Sequence, residues 1–330
     1  MKSIVNKKLL FLVIVILISL SLTGMAADKE YEIVHVYKIA GIPFGNVEES
    51  GVVQAGEELG VNAYQIAPTE PDPAQQVRMI EDLIAKGVDA ICVTPNDPSA
   101  LEPILQKAQS KGIVVVTNEA VGQKGADWDI ETVDPKLWGA HSFEKFAKFM
   151  NGEGEFALFV GGLEVQFHND WADAALEVQK EKYPNMKLVT SRIPCGESIE
   201  LAFTRTNELL KAYPNLKGIT GIGSLGPIGA AEALKAKNMA GKIIIVGTVM
   251  PEQSAPYLKA GLIQAGSMQD PKKLGYGLVY VAKLLLDGEE IKNGMEIPGL
   301  GAANVNFEEK VIRLHGVLDI TAENADKLGF

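Results

Sequence analysis

Two consecutive helix-then-strand units between Asp72 and Glu119 constrain this chain more than any other stretch. In the first, Val77, Ile80, Leu83 and Ile84 recur at helical spacing, Lys86-Gly87 supplies a stop, and the short apolar run Ala90-Ile91-Cys92-Val93 follows. The second repeats the pattern with Leu101, Ile104, Leu105 and Ala108, the stop Lys111-Gly112, and Ile113-Val114-Val115-Val116. An apolar run without polar alternation belongs to a strand covered on both faces, so these units predict a parallel sheet with helices above and below, the doubly wound α/β arrangement. In such sheets ligands bind beyond the carboxyl ends of the strands. Residues 94–97 and 117–119 are therefore the first places to look.

The same alternation continues along the chain. A strand at residues 33–38 leads through a loop at 39–46 to a helix at 47–59 and a strand at 61–67. A strand is expected at 130–133, and Asp134-Pro135 then marks a boundary. Further strands at 156–160, 188–193, 218–222, 243–246 and 263–268 alternate with helices, the last at 271–286, before a less regular tail. Two successive runs of strand and helix predict two similar lobes facing each other, and a cleft between such lobes suits a small ligand.

The amino terminus is a separate matter. Lys2, Lys7 and Lys8 precede an apolar run at 9–22 and the small-residue segment Gly24-Met25-Ala26-Ala27, the pattern of a secretory signal over 1–26 cut near Ala26 or Ala27. That run is shorter than the roughly 20 residues of a spanning helix. Met25 also stands where a lipidated cysteine would follow Leu22-Thr23-Gly24, so a soluble exported protein without a lipid anchor is expected. Losing three lysines moves the formal charge from −11 to −14, and no basic run follows residue 27, which excludes nucleic acid as a partner. Cys92 and Cys195 read as two free thiols, one in a buried strand and one in a distant loop. His35, His141, His168 and His315 are too scattered for a metal site, and no cofactor is expected.

Ile80 to Ile91, within the segment from Gln76 to Glu119, resembles the type I periplasmic binding proteins of sugar ABC transporters, as do Ile42-Pro43-Phe44-Gly45 and Gln269-Asp270-Pro271 followed by Gly275-Tyr276. Lys38, Pro68-Thr69-Glu70-Pro71, Ala212-Tyr213-Pro214 and Ile297-Pro298-Gly299-Leu300-Gly301 are similar to the rhamnose and autoinducer-2 binding branch. The resemblance implies two doubly wound Rossmann-like lobes joined by a three-segment hinge, with crossings near Asp134, near Gln269 and between Asn293 and Gly301. The amino-terminal lobe would hold 27–134 plus about 269–296, and the carboxyl-terminal lobe 135–268 plus about 297–330. Implied partners are a small sugar or polyol, a membrane permease and a chemoreceptor as a second reader of the closed form, with the protein itself a periplasmic monomer. The autoinducer pattern is partly met: Lys38 is retained, but Asn118 and Gln269 stand where aspartates belong, and Phe167-His168 where an acid and an amide belong.

Sugar hydroxyls both donate and accept, so a specific pocket needs side chains that do both. Asn118 and Gln269, each just beyond an apolar strand, fit that need, and Lys38 would add a charge-assisted bond. Glu119 reads equally as a ligand contact or a solvated loop acid. His168 suits hydrogen bonding, Phe44 suits stacking on a sugar ring, and Phe167 reads as either stacking face or core. Gly221-Ile222-Gly223-Ser224-Leu225-Gly226 satisfies G-x-G-x-x-G between strand and helix, but the next strand ends in Gly247-Thr248 without the acid a dinucleotide ribose requires. Its glycines instead allow backbone to approach the cleft, with Ser224 as a contact. The expected activity is therefore non-enzymatic sugar capture, with autoinducer-2 reception as the alternative within the class. A secreted α/β hydrolase using Ser224, with His315 as its histidine, is the alternative of another class.

Overall fold

The computed structural model describes residues 31–195 and 197–330, so the secretory signal expected over 1–26 lies outside the described residues. The first lobe is built on five parallel strands: β1 (Glu32–Val36), β2 (Asn62–Ile66), β3 (Ala90–Val93), β4 (Val114–Thr117) and β5 (Trp128–Glu131). Helices α1 (Pro43–Leu59), α2 (Pro73–Lys86) and α3 (Pro98–Ser110) connect the first four of them. Every β3 residue is buried, as its lack of polar alternation requires. On one face Ile80 and Leu83 of α2 and Leu101, Ile104, Leu105 and Ala108 of α3 pack on Val34, Val36, Ile91, Val93 and Val115. Each such aliphatic side chain contributes roughly 2 kcal/mol by leaving water.

The second lobe repeats the plan with α4 (Pro135–Phe149), β6 (Gly154–Val160), α5 (Gln166–Lys182), β7 (Met186–Leu188), β8 (Ile193–Pro194), α6 (Ile199–Ala212), β9 (Leu216–Gly221), α7 (Gly226–Ala236), β10 (Ile244–Gly247), α8 (Pro251–Lys259) and β11 (Ala265–Met268). The strand expected at 188–193 is two short strands, β7 and β8, which pair with different parts of β6. Helix α1 begins at Pro43 rather than Val47, because a fixed proline φ suits the first helical turn. Phe44 is thus a helix residue, not a loop residue. Strand β5 ends at Glu131, and Thr132 and Val133 already belong to the crossing.

A repeated local device starts several of these helices. Asp72, Asp97, Asp134 and Asp270 each precede a proline, and each side chain accepts a backbone N–H of the first turn, from Ala74, Ser99, Lys136 and Lys272 at 2.8–3.0 Å. A cap of this kind stabilises its helix by about 1 kcal/mol.

Helix α9 (Pro271–Leu286) follows the last parallel strand of the second lobe but packs on α1 in the first. The two backbones meet at a pair of glycines. A Cβ on Gly51 would lie 1.9 Å from the Lys272 carbonyl oxygen, and one on Gly275 would lie 2.1 Å from the Glu48 carbonyl oxygen.

The tail corrects the expectation for residues 297–330. After the small pair β12 (Glu296–Ile297) and β13 (Gly301–Ala302), strand β14 (Asn304–Asn306) pairs antiparallel with β15 (Val311–Arg313), and β15 pairs parallel with β5 in the first sheet. Only β16 (Leu318–Ile320) joins the second sheet, antiparallel to β11. The third crossing therefore lies between Arg313 and Leu318, not between Asn293 and Gly301. The physical reason is an exposed edge: Val311 and Ile312 are fully buried where they cover β5. Strands of three residues are too short to show a period in sequence. The crossings bond to one another, with the Thr132 hydroxyl donating to Gln269 Oε1 and the Gly316 N–H donating to the Thr132 carbonyl at 2.9 Å.

Cys92 and Cys195 are free, buried thiols. Among the described residues no helix is long and apolar enough to cross a membrane.

Candidate ligand-binding site

The strand order is β14-β15-β5-β4-β3-β1-β2 in the first sheet and β16-β11-β10-β9-β6-β7 in the second. Each order reverses direction once, between β3 and β1 and between β9 and β6. Loops leaving the carboxyl ends of neighbouring strands diverge at such a point and open a crevice. A cavity of about 410 Å³ lies there, lined from both lobes. Its size falls within the roughly 300–1,000 Å³ of small-molecule sites.

In the first lobe one buried amide organises the wall. Gln76 of α2 donates through Nε2 to the carbonyls of Tyr37 and Thr94, both at 3.0 Å, and its Oε1 accepts the Asn96 N–H at 2.8 Å. Asn96 in turn donates through Nδ2 to the Lys38 carbonyl at 2.8 Å. The ends of β1 and β3 are thereby clasped together, and Lys38 is aimed at the cavity, where it pairs with Glu119. Phe44 stacks on Tyr37 with centroids 6.4 Å apart and planes at 12°.

Beneath this wall the polar groups are kept neutral. His35 donates from Nδ1 to Gln65 Oε1 at 2.9 Å, an orientation set by the Gln65 amide donating to the Gly45 carbonyl, and its Nε2 lies 3.2 Å from the Thr94 hydroxyl. Burial pushes this imidazole down to about 4. Burial, reinforced by Glu119, drives the Glu48 carboxyl well above the usual range, so the two groups face each other at 3.6 Å uncharged at neutral pH.

The second lobe supplies the opposite wall. Phe167 and His168 occupy the first turn of α5, and His168 Nδ1 accepts the Gly161 N–H at 3.2 Å, which leaves the proton on Nε2, 3.9 Å from Glu197 Oε1. Burial, helped by the charge of Lys38, holds the His168 imidazole well below its ordinary range. The Glu197 carboxyl fills space that two glycines leave: a Cβ on Gly223 would lie 2.3 Å from Oε1, and one on Gly161 would lie 2.6 Å away. Burial pushes Glu197 up to about 7; Lys38 and the N–H groups of Leu225 and Ser224 pull it down, and Glu119 adds to the rise. Its Oε2, like Thr248 Oγ1, is buried without a hydrogen-bond partner among the described residues. Trp138 and Trp171 stack at 4.1 Å, and Phe167 meets Trp138 edge-on at 6.1 Å.

Glu119 and Glu197, one from each lobe, both have left-handed backbones, with φ of 56° and 48°. A non-glycine residue holds such a φ at a cost, and residues of this kind concentrate at functional sites.

Of the residues singled out in sequence, Lys38, Phe44, Glu119, Phe167, His168, Ser224 and Gln269 line this one cavity. Asn118 does not; its amide turns into the sheet and donates to the Ile130 carbonyl at 2.7 Å, tying the end of β4 to β5. Asn96 lies in the strand-end segment 94–97, and Thr248 would have been found by the same strand-end rule applied to β10. Glu197 carried no signal, because its turn follows no readable strand. Trp138 and Trp171 sit on helices, where sequence cannot separate a core face from a cavity face. His315, the histidine that the hydrolase alternative assigned to Ser224, does not line this cavity.

The profile of one protein family, described as a periplasmic binding protein domain, matches residues 33–290. A D-allose-binding periplasmic protein of Escherichia coli (strain K12) is 29% identical over 286 residues, covering 84% of this chain and 89% of its own. A solute-binding protein of an ABC transporter from Burkholderia graminis C4D1M, solved with D-arabinose, superposes with a TM-score of 0.80 at 25% identity, over 91% of this chain and 98% of its own. LsrB from Clostridium saccharobutylicum, solved in complex with AI-2, superposes with a TM-score of 0.83 over 91% of this chain and 100% of its own. At 20% identity that last likeness concerns the fold alone.

Proposed function

We propose a function from one premise: this chain belongs to the periplasmic binding protein domain family. It captures a small sugar or polyol between its lobes and presents the closed, loaded form to the permease of an ABC transporter. The observation that carries this reading is the composition of the cavity wall. Polar groups from both lobes converge on it, Lys38 and Glu119 from one and His168, Ser224, Thr248 and Glu197 from the other, beside the aromatic faces of Phe44, Phe167 and Trp138. A polyol needs both kinds of surface, one for its hydroxyls and one for its C–H face. A D-allose-binding relative and a similar solute-binding protein solved with D-arabinose support the sugar class. Contacts from two lobes favour the closed arrangement by differential binding, and the permease can read that state. Export by the segment at 1–26, action as a monomer and a chemoreceptor as second reader belong to the same reading.

The test is thermal unfolding of the protein, stripped of carried ligand by unfolding and refolding, against pentoses, hexoses, deoxyhexoses and polyols. A true ligand at 100 times its Kd adds about 2.7 kcal/mol, a rise of roughly 4 °C for a chain this long. The rise should vanish in Gln269→Leu. Autoinducer-2 belongs in the panel because Glu119, one residue beyond the position where the resemblance expects an acid, pairs with Lys38. A panel in which no compound moves the midpoint refutes the carrier reading.

A further inference from the structure

The charges in this cleft are not balanced by the protein. Lys38 is matched by Glu119, with side chains only 10% and 8% exposed. Glu197 has no equivalent partner. Among the described residues its ion-pair neighbour is His168, which is held neutral because Nδ1 already accepts the Gly161 N–H and burial opposes a second proton. The other groups that bear on Glu197 are Lys38 and Glu119 across the cleft and the N–H groups of Leu225 and Ser224 before α7. The Tyr37 phenol feels Glu48, Glu119 and Glu197 together. Arg205 of α6 also reaches the cavity wall; its side chain is 42% exposed, one guanidinium nitrogen meets Glu208 at 3.0 Å, its Nε is buried without a hydrogen-bond partner among the described residues, and it makes no ion pair with Glu197.

The Glu197 carboxyl is nevertheless built into the site. Its room is made by Gly161 and Gly223, its side chain is 15% exposed, and its fully buried Oε2 has no protein partner among the described residues. A carboxylate taken out of water loses its hydration, and only a well-placed cation or a full set of hydrogen bonds makes up for that loss. A carrier gains nothing from such a group unless the cargo supplies the missing charge.

We propose that it does: the ligand is a sugar or polyol bearing an amino group, with its ammonium seated on Glu197 and its hydroxyls toward Lys38 and Glu119. This rests on the carrier reading and narrows its ligand class. With that ligand the charged groups lining the cleft come to three cations, Lys38, Arg205 and the ammonium, against three carboxylates, Glu119, Glu164 and Glu197. With a neutral sugar one carboxyl stays uncompensated. The faces of Trp138, Phe44 and Phe167 attract a cation as well as a C–H surface, and the formal charge of −11 draws cations toward the protein.

The experiment pairs each amine with its hydroxyl counterpart at neutral pH: D-glucosamine with D-glucose, D-galactosamine with D-galactose, and 1-amino-1-deoxysorbitol with sorbitol. In at least one pair the amine should bind about tenfold or more tightly than its counterpart, and N-acetylation should abolish the advantage. Binding should also release protons, measured as calorimetric heats that differ between buffers of unlike ionisation enthalpy, because the ammonium completes the ionisation of Glu197. Glu197→Gln should remove the preference within the pair; should that variant fail to fold, proton release by the wild type decides. Hydroxyl counterparts that bind as well as the amines, without proton release, overturn this inference and leave the carrier reading standing. No binding by any of these amines overturns this inference, while the carrier reading falls only if the whole panel of pentoses, hexoses, deoxyhexoses and polyols also fails to bind.

Discussion

Glu197 makes the stability of the ligand-free protein depend on pH in a direction opposite to that of an ordinary salt-bridged acid. Its folded-state value is raised from 4.5 to about 7, so between those limits the folded state binds more protons than the unfolded chain. Stability contributed by such a group is fully present below about pH 4.5, falls as pH rises toward about 7, and stays low above it. At about 1.4 kcal/mol for each tenfold change in proton affinity, the loss is about 3 kcal/mol. For a chain of this length that is roughly 5 °C in the unfolding midpoint. Glu197→Gln removes the titrating group and keeps the size of the side chain. His35, Glu48 and Glu131 titrate in both proteins and cancel in the comparison. Calorimetric scans of both proteins without ligand should show the variant gaining about 3 kcal/mol on the wild type between about pH 4.5 and about pH 8. If the two curves run parallel across that range, Glu197 is not the desolvated carboxyl described here and its role in the cleft fails with it.

Two further perturbations probe the scaffold. Gly275→Ala would ordinarily stabilise a helix interior by roughly 1 kcal/mol, but here its Cβ would meet the Glu48 carbonyl oxygen at 2.1 Å. Since backbone cannot yield as a side chain does, a net loss of about 2 kcal/mol or more in urea unfolding is expected, and unchanged stability would contradict the close docking of α9 on α1. Gln76→Leu removes three buried hydrogen bonds that clasp the ends of β1 and β3. It should cost about 3 kcal/mol in urea unfolding and weaken ligand binding by displacing Lys38, whereas a variant that loses stability but binds normally would separate the clasp from the site.

The legible part of this protein was the part written in local patterns. Apolar runs such as Ala90-Ile91-Cys92-Val93 and Ile113-Val114-Val115-Val116 announced strands covered on both faces, and the strand-end rule led to Lys38, Glu119 and Gln269 on the cavity wall. Asn118 shows where that rule stops. Adjacent residues leave a strand in different directions, and one position separates an amide tied to Ile130 from an acid paired with Lys38. Glu197 was invisible because nothing around it is periodic.

Sequence by itself determined the element types and their order, because helix and strand periods, Asp-Pro starts and glycine stops act over a few residues. It also placed α9 as the continuation of the last long alternation. Only the tertiary structure decided that β15 covers β5, that the third crossing falls between Arg313 and Leu318, and that the Glu197 carboxyl rests between Gly161 and Gly223. Each is a contact between segments far apart in the chain, where the choice among partners is made by a bare sheet edge or by the room two missing Cβ atoms leave. The charge of the cleft belongs to the same class. A carboxylate's proton affinity is set by the water and charges around it, and for Glu197 those come from both lobes at once.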